Sequence, residues 1–129
     1  MPQPEEMSIT DYRALAKSSK YGNKKIEVGG YRFDSLAEAR RYEELRLMER
    51  AGAISDLRLQ PRYELQRGFT DNDGKRQRAI VYIADFAFTE NGLRIVEDCK
   101  GAITKEYAIK KKLFLYKYFE LTFREIKAK

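Results

Sequence analysis

The sequence predicts an α/β domain, on three observations. Ile80 to Phe88 and Leu93 to Cys99 alternate as strands about Asn91-Gly92, a strong hairpin signal. Two segments carry helix-start signals followed by apolar residues at helical spacing. Leu121 to Ile126 then alternates again as a closing strand. The order is a small hairpin followed by α-β-β-β-α-β.

Residues 1–24 read as an N-terminal arm and 25–129 as a single domain. Within the arm, Ser8 to Lys17 has the pattern of a short helix, with Ser8 as cap and Asp11 three residues on. Residues 18–25 form a basic linker that includes Lys20, Lys24 and Lys25. Ile26 to Val28 and Tyr31 to Phe33 flank Gly29-Gly30, the small hairpin. Ser35 is placed to cap the first helix, with Glu38 at the third helical position of a capping box. That helix runs to Ala51, with Gly52 as its stop. Its apolar stripe is Tyr42, Leu45 and Met48 or Glu49, and Glu38 lies one turn before Tyr42 on the same stripe. A strand with Leu57, Leu59, Tyr63 and Leu65 on alternate positions follows, interrupted at Pro61. Asp71-Asn72-Asp73-Gly74 makes a turn before the long hairpin. Gly101 ends the hairpin. Thr104 then caps a second helix to about Tyr118, with Ile109, Leu113 and Tyr116 on one face.

A two-residue loop fixes the hairpin register. Glu90 opposes Leu93, Phe88 opposes Ile95, Phe86 opposes Glu97, and Asp85 opposes Asp98. Lys100 points to the face of Asp98. Like charges opposed on a sheet are unfavourable. Two carboxylates about 4 Å apart repel by about 4 kcal/mol at an effective dielectric near 20. A site for a divalent cation needs such a pair. Asp85 and Asp98 are the candidate metal ligands, and the backbone carbonyl of Cys99 between Asp98 and Lys100 is a third. A lysine beside them can orient or deprotonate an attacking water. Glu38, on the stripe of the first helix, is placed to complete the cluster.

Composition narrows the chemistry. The chain has 129 residues, no histidine and one cysteine, Cys99. Histidine-based zinc sites, triads and general bases are excluded, as are cysteine-rich zinc sites. A metal held by oxygen alone favours magnesium, manganese or calcium. No apolar run approaches the roughly 18 residues of a membrane span. The acidic start MPQPEEMSIT lacks an apolar signal core. The expectation is a cytoplasmic protein with no membrane partner and no nucleotide cofactor. Charge is uneven: residues 100 to 129 hold nine Lys/Arg against three Glu, while residues 1 to 99 hold seventeen of each sign. An excess confined to one end points to a polyanion, most often nucleic acid. The candidate phosphate contacts are Lys105, Lys110, Lys111, Lys112 and Lys117, interleaved with Tyr107, Tyr116 and Tyr118. Lys24, Lys25 and Arg32 are a second set.

The run Ile83-Ala84-Asp85-Phe86, followed thirteen residues later by Asp98-Cys99-Lys100-Gly101, resembles the bipartite Asp…(Asp/Glu)-x-Lys motif of the restriction-endonuclease-like nuclease superfamily. The upstream helical glutamate of that pattern is matched by Glu38. The α-β-β-β-α-β order matches the superfamily core, a mixed sheet flanked by helices. The chain is most similar to small phage proteins of an uncharacterised endonuclease family, itself similar to phage Holliday-junction resolvases and transposon end-cleaving nucleases. The resemblance covers roughly residues 20 to 127. It implies a magnesium- or manganese-dependent DNA endonuclease, acting in the host cytoplasm if phage-encoded. Asp85, Asp98 and Glu38 would be its acids, and Lys100 would act at the attacking water. Branched DNA and a homodimer are implied likewise. Ala84 stands where proline is usual, and Asp98 where glutamate is. Gln60, before Pro61, resembles a glutamine found near the site in relatives and is a weak candidate.

Each residue also has a plainer structural reading. Glu38 can serve only as the capping partner of Ser35. Lys100 can be a structural ion-pair partner for Asp85. The lysine-rich helix can be a solvated face. Strand parity gives Glu97 a solvent- or helix-facing structural role, which a bulge would reverse. Three functional alternatives remain open. One is a nicking or sequence-specific nuclease on the same fold; another is a non-catalytic DNA-binding accessory protein. An RNA-directed nuclease is a third.

Overall fold

The computed structural model describes residues 26–127. The expected helix Ser8 to Lys17, the linker and its Lys20, Lys24 and Lys25 lie outside the described residues. Among the described residues the fold is α/β with a mixed sheet and two helices. It divides into two compact units, with the boundary between Ser55 and Asp56.

The first unit is built from β1 (Ile26–Val28), β2 (Tyr31–Phe33) and α1 (Leu36–Arg50). Gly29 and Gly30 take φ of 66° and 81°, the pair of positive values that a tight two-residue hairpin requires. The strands pair antiparallel in the expected register, Val28 with Tyr31 and Ile26 with Phe33. Ser35 caps α1, its hydroxyl accepting from the Glu38 N–H at 3.2 Å. Ala39, Tyr42 and Leu45 are the buried stripe. The Tyr42 ring stands 5.1 Å from the Phe33 ring, which docks the helix on its hairpin.

The second unit is organised on a four-stranded sheet. Its strands are β3 (Ser55–Leu59), β8 (Phe86–Glu90), β9 (Leu93–Lys100) and β10 (Thr122–Lys127), in the order β10-β9-β8-β3. Asn91 and Gly92 take φ of 52° and 80°, so the turn between β8 and β9 is the type their sequence asks for. The register matches from Glu90–Leu93 to Phe86–Glu97. β10 runs parallel to β9, Thr122 beside Ile95 and Lys127 beside Lys100. A parallel pair needs a long crossover, and α2 (Lys105–Lys117) supplies it.

The expected single strand Ile80 to Phe88 is broken. β7 (Ile80–Ile83) pairs with β4 (Arg62–Gln66), whereas β8 belongs to the larger sheet. The break falls at Ala84-Asp85, opposite the matching break at Gln60-Pro61. Pro61 has no N–H to give a ladder, and Gln60 holds φ of 48°. Two backbone bonds stitch the bends together: Gln60 N–H to the Asp85 carbonyl at 2.9 Å, and Ala84 N–H to the Pro61 carbonyl at 3.1 Å. A short pair, β5 (Phe69–Thr70) and β6 (Arg76–Gln77), closes over the Asp71–Gly74 turn. There Asp71 accepts from the Asp73 and Lys75 N–H groups, both at 2.9 Å.

Thr104 caps α2, accepting from the Tyr107 N–H at 3.1 Å. The face that α2 buries is not the expected one. Ile109, Leu113 and Tyr116 are exposed, Ile109 by 61% and Tyr116 by 86%. Tyr107 and Phe114 are buried in their place, with Tyr82, Ala84 and Val96 around them. Tyr107, Phe114 and Tyr118 also recur at helical spacing, so α2 carries two apolar stripes. The aromatic stripe buries the larger area and takes the sheet. Phe114 is its hub, with ring centroids of Tyr63, Tyr118 and Tyr82 at 4.9, 5.3 and 5.3 Å.

Candidate active site

The bend at Ala84-Asp85 shapes the site. The β8–β9 ladder stops at Phe86–Glu97, so Asp85 is not the ladder partner of Asp98 that hairpin counting predicts. The backbone turns aside one residue earlier because the strand changes partners there. The Asp85 carboxylate instead reaches across and accepts from the Cys99 N–H at 2.7 Å. It thereby fills the hydrogen bond that the departing strand leaves open. In an extended strand the N–H and C=O of one residue face the same edge. The Cys99 carbonyl therefore faces the side from which Asp85 approaches.

Asp98 is fully buried. Its Oδ2 accepts the hydroxyl proton of Tyr82 and lies 3.6 Å from the Lys100 ammonium. Its Oδ1 is buried without a hydrogen-bond partner. Buried carboxylate oxygens are rarely left so. Lys100 is held on its other side by Tyr107, whose ring centroid is 4.4 Å from the ammonium. Tyr107 in turn donates its hydroxyl to Glu125 Oε2 at 2.5 Å, and Lys111 donates to the same oxygen at 3.0 Å.

The electrostatics agree with this arrangement. Burial first, and then the hydrogen bond to Asp98, pushes the Tyr82 phenol far above its ordinary 10.0, and the Asp98 and Asp85 charges add to the rise. Burial first, and then the bond to Glu125, does the same for Tyr107, again with contributions from Asp98 and Asp85. The charges of both aspartates thus help keep both phenols protonated. Glu125 is held below its ordinary value, mainly by the Tyr107 hydroxyl and then by Lys111. A cleft of about 240 Å³ opens beside Lys100, lined by Tyr82, Ile83, Thr104, Tyr107 and Lys110 among others.

The remaining candidates are placed as follows. Gln60 meets Asp85 through its backbone, and its side chain is exposed. Glu38 belongs to the first unit, half-buried at the third position of α1. Among the described residues no three His, Cys, Asp or Glu side chains are grouped as a ready-made metal cluster. Glu97 is wholly buried rather than solvent-facing. β9 is an interior strand covered on both faces from Ile95 to Cys99, so parity alone could not expose it. The basic helix is partly spent on its own acids: Lys110 pairs with Glu106 at 3.2 Å and Lys111 with Glu125. Lys105 and Lys112 are exposed, and Lys117 lies 5.7 Å from the Tyr118 ring. Tyr107 is core, not surface. Arg32 pairs with Glu27 at 3.3 Å.

Sequence reasoning missed Tyr82 and Glu125, and set Tyr107 among the phosphate contacts rather than in the core. A signal existed for Tyr82: a tyrosine inside an apolar strand needs a partner for its hydroxyl once buried. The oxygens of Asp85, Asp98 and the Cys99 carbonyl are hard donors that suit magnesium or manganese. The orphaned Asp98 Oδ1 is an acceptor that such a cation would satisfy. No curated protein and no solved structure matches the chain. A family model matches residues 18–129, most of the sequence, and the chain belongs to that family, described as Protein of unknown function (DUF1064).

Proposed function

We propose that the protein is a metal-dependent DNA endonuclease on a restriction-endonuclease-like fold, with Asp85, Asp98 and Lys100 at its centre. One observation carries the reading: a buried Asp98 oxygen without a partner, on a carboxylate 3.6 Å from a lysine, with the Asp85 carboxylate bonded to the N–H of the next residue. Asp98 Oδ1, Asp85 and the Cys99 carbonyl would hold magnesium or manganese. Such an ion supplies Lewis-acid polarisation of a phosphate and a more acidic water.

The chain's own residues do the rest. Lys100, between Asp98 and the Tyr107 ring, orients the attacking water or stabilises charge on the phosphate. Tyr82 donates to Asp98 Oδ2 and so fixes which oxygen faces the ion. The cleft beside Lys100 admits the phosphate. Lys105, Lys112 and Lys117, with Lys110 once Glu106 is displaced, contact the phosphate backbone while Lys111 stays on Glu125, and these contacts set affinity rather than sequence. Lys24 and Lys25 are proposed as further contacts. Branched DNA is the proposed substrate, on the resemblance to junction resolvases. Paired cuts on two strands require a homodimer.

The test is incubation with a synthetic four-way junction and the matched linear and nicked duplexes, in magnesium, calcium or chelator. Paired cuts at the junction in magnesium alone support the reading; preferred cutting of a linear or nicked duplex favours the nicking or sequence-specific alternative. Binding that is indifferent to magnesium, with no cutting, supports a non-catalytic DNA-binding role. The 3.6 Å approach of Lys100 to Asp98 favours that second reading, since it can serve as a structural ion pair.

A further inference from the structure

We propose that Tyr107 is the positioning residue of Lys100, seating its ammonium against the ring face while Glu125 and Lys111 hold the ring in place. The proposal rests on the reading of Asp85, Asp98 and Lys100 as one site. Lysine has four rotatable side-chain bonds and loses much entropy when fixed. Asp98 alone gives Lys100 one contact, and a looser one than a hydrogen bond, at 3.6 Å. The Tyr107 ring, 4.4 Å from the ammonium, supplies a second direction. Two anchors on different elements, one on β9 and one on α2, define where the ammonium points.

Tyr107 is itself fixed at both ends. Its backbone N–H is bonded to the Thr104 cap at 3.1 Å. Its hydroxyl donates to Glu125 on β10 at 2.5 Å, and Lys111 holds the same Glu125 oxygen at 3.0 Å. The ring is 8% exposed and packs in the aromatic core beside Tyr82 and Phe114. A phenol needed only for core packing would be served by phenylalanine. The bond to Glu125 anchors the outer end of the ring, and so fixes the tilt of the face on which Lys100 sits.

Two readouts separate this role from simple packing. Proton spectra of the full-length protein should place the Lys100 ε-methylene upfield, under the ring current of Tyr107, with Lys100→Gln used for assignment. Tyr107→Phe, which lacks the bond to Glu125, keeps a reduced shift and Tyr107→Leu loses it. In junction cleavage, Tyr107→Leu lowers kcat about 10- to 30-fold with KM within about twofold, as loss of a desolvated cation–π contact implies. Tyr107→Phe recovers most of that loss. Should Tyr107→Leu fail to fold, Glu125→Gln takes its place, with kcat down about threefold and a smaller upfield shift. The proposal is overturned if the wild-type ε-methylene lies at its free-lysine position, or if Tyr107→Leu folds and cuts at the wild-type rate. An upfield shift in a protein that cuts no DNA keeps the Lys100 seat and removes the nuclease reading instead.

Discussion

The Asp85 carboxylate accepts the backbone N–H of Cys99 at 2.7 Å, which brings it to the strand position next to Asp98 although the two aspartates are not ladder partners. A β-strand that bends one residue early thus delivers its acid by side-chain reach rather than by register. The consequence is that Asp85 spends one oxygen on the backbone N–H that follows Asp98 instead of standing directly opposite that residue.

Asp98→Asn keeps the shape of the side chain and removes its charge. Junction cleavage should fall by about a thousandfold or more, as expected when a group needed in the transition state is lost. Lys100→Ala should behave likewise. Equilibrium binding of the junction in calcium should change by less than about threefold for both, because the phosphate contacts lie elsewhere. Gel-shift titration beside single-turnover cleavage checks both halves.

Tyr82→Phe removes the hydroxyl that bonds Asp98 Oδ2. The buried carboxylate then loses its donor, at a cost of about 1–3 kcal/mol. Urea unfolding should show a lower midpoint at unchanged slope. Affinity for manganese should also drop about 10- to 100-fold, the usual effect of losing a group that orients a metal ligand. Isothermal titration with manganese measures the second effect.

Phe114→Ala and Leu113→Ala test which face of α2 is buried. Phe114 is fully buried among Tyr63, Tyr82 and Tyr118, and its truncation should cost about 3–5 kcal/mol. Leu113 is exposed, and its truncation should stay within about 0.5 kcal/mol. Equal losses would mean that the exposed stripe is covered in solution, as a homodimer through α2 would cover it. Thermal unfolding at two protein concentrations separates those cases.

Alkaline pH should unfold the protein through Tyr82 and Tyr107. Both phenols are raised above their ordinary 10.0 by burial and by bonds to Asp98 and Glu125. Above about pH 10 the unfolded chain releases these protons while the folded chain keeps them. Their stabilisation is therefore complete below that pH and declines as pH rises toward the folded values. Tyr82→Phe should flatten the fall in stability between pH 9 and 11. On the acid side Glu125 is lowered from 4.5, so its contribution is present above that value and lost as pH drops through the folded one. Chemical unfolding across pH reads both limbs.

Much of the architecture was legible in the residues. Gly29-Gly30 and Asn91-Gly92 specify tight turns by their freedom at positive φ, and both turns form. Ser35 and Thr104 are short polar caps, and both accept the third N–H of their helices. What stayed hidden has physical reasons. The run from Ile80 to Phe88 is apolar on both sides of Asp85, so nothing local marks a strand that changes partners; the cue lay in Pro61 on the other strand. α2 has two apolar stripes, and periodicity cannot say which one meets the sheet. Tyr82, Tyr107 and Glu125 come from three elements whose meeting depends on the crossover, which no spacing in the sequence encodes.

A crystal of the wild-type protein soaked in manganese, with anomalous scattering recorded, tests the central claim most directly. The account predicts one strong peak about 2.1 Å from Asp98 Oδ1, shared with Asp85 and the Cys99 carbonyl. A peak elsewhere, or an unligated Asp98 Oδ1 at saturating manganese, would contradict it.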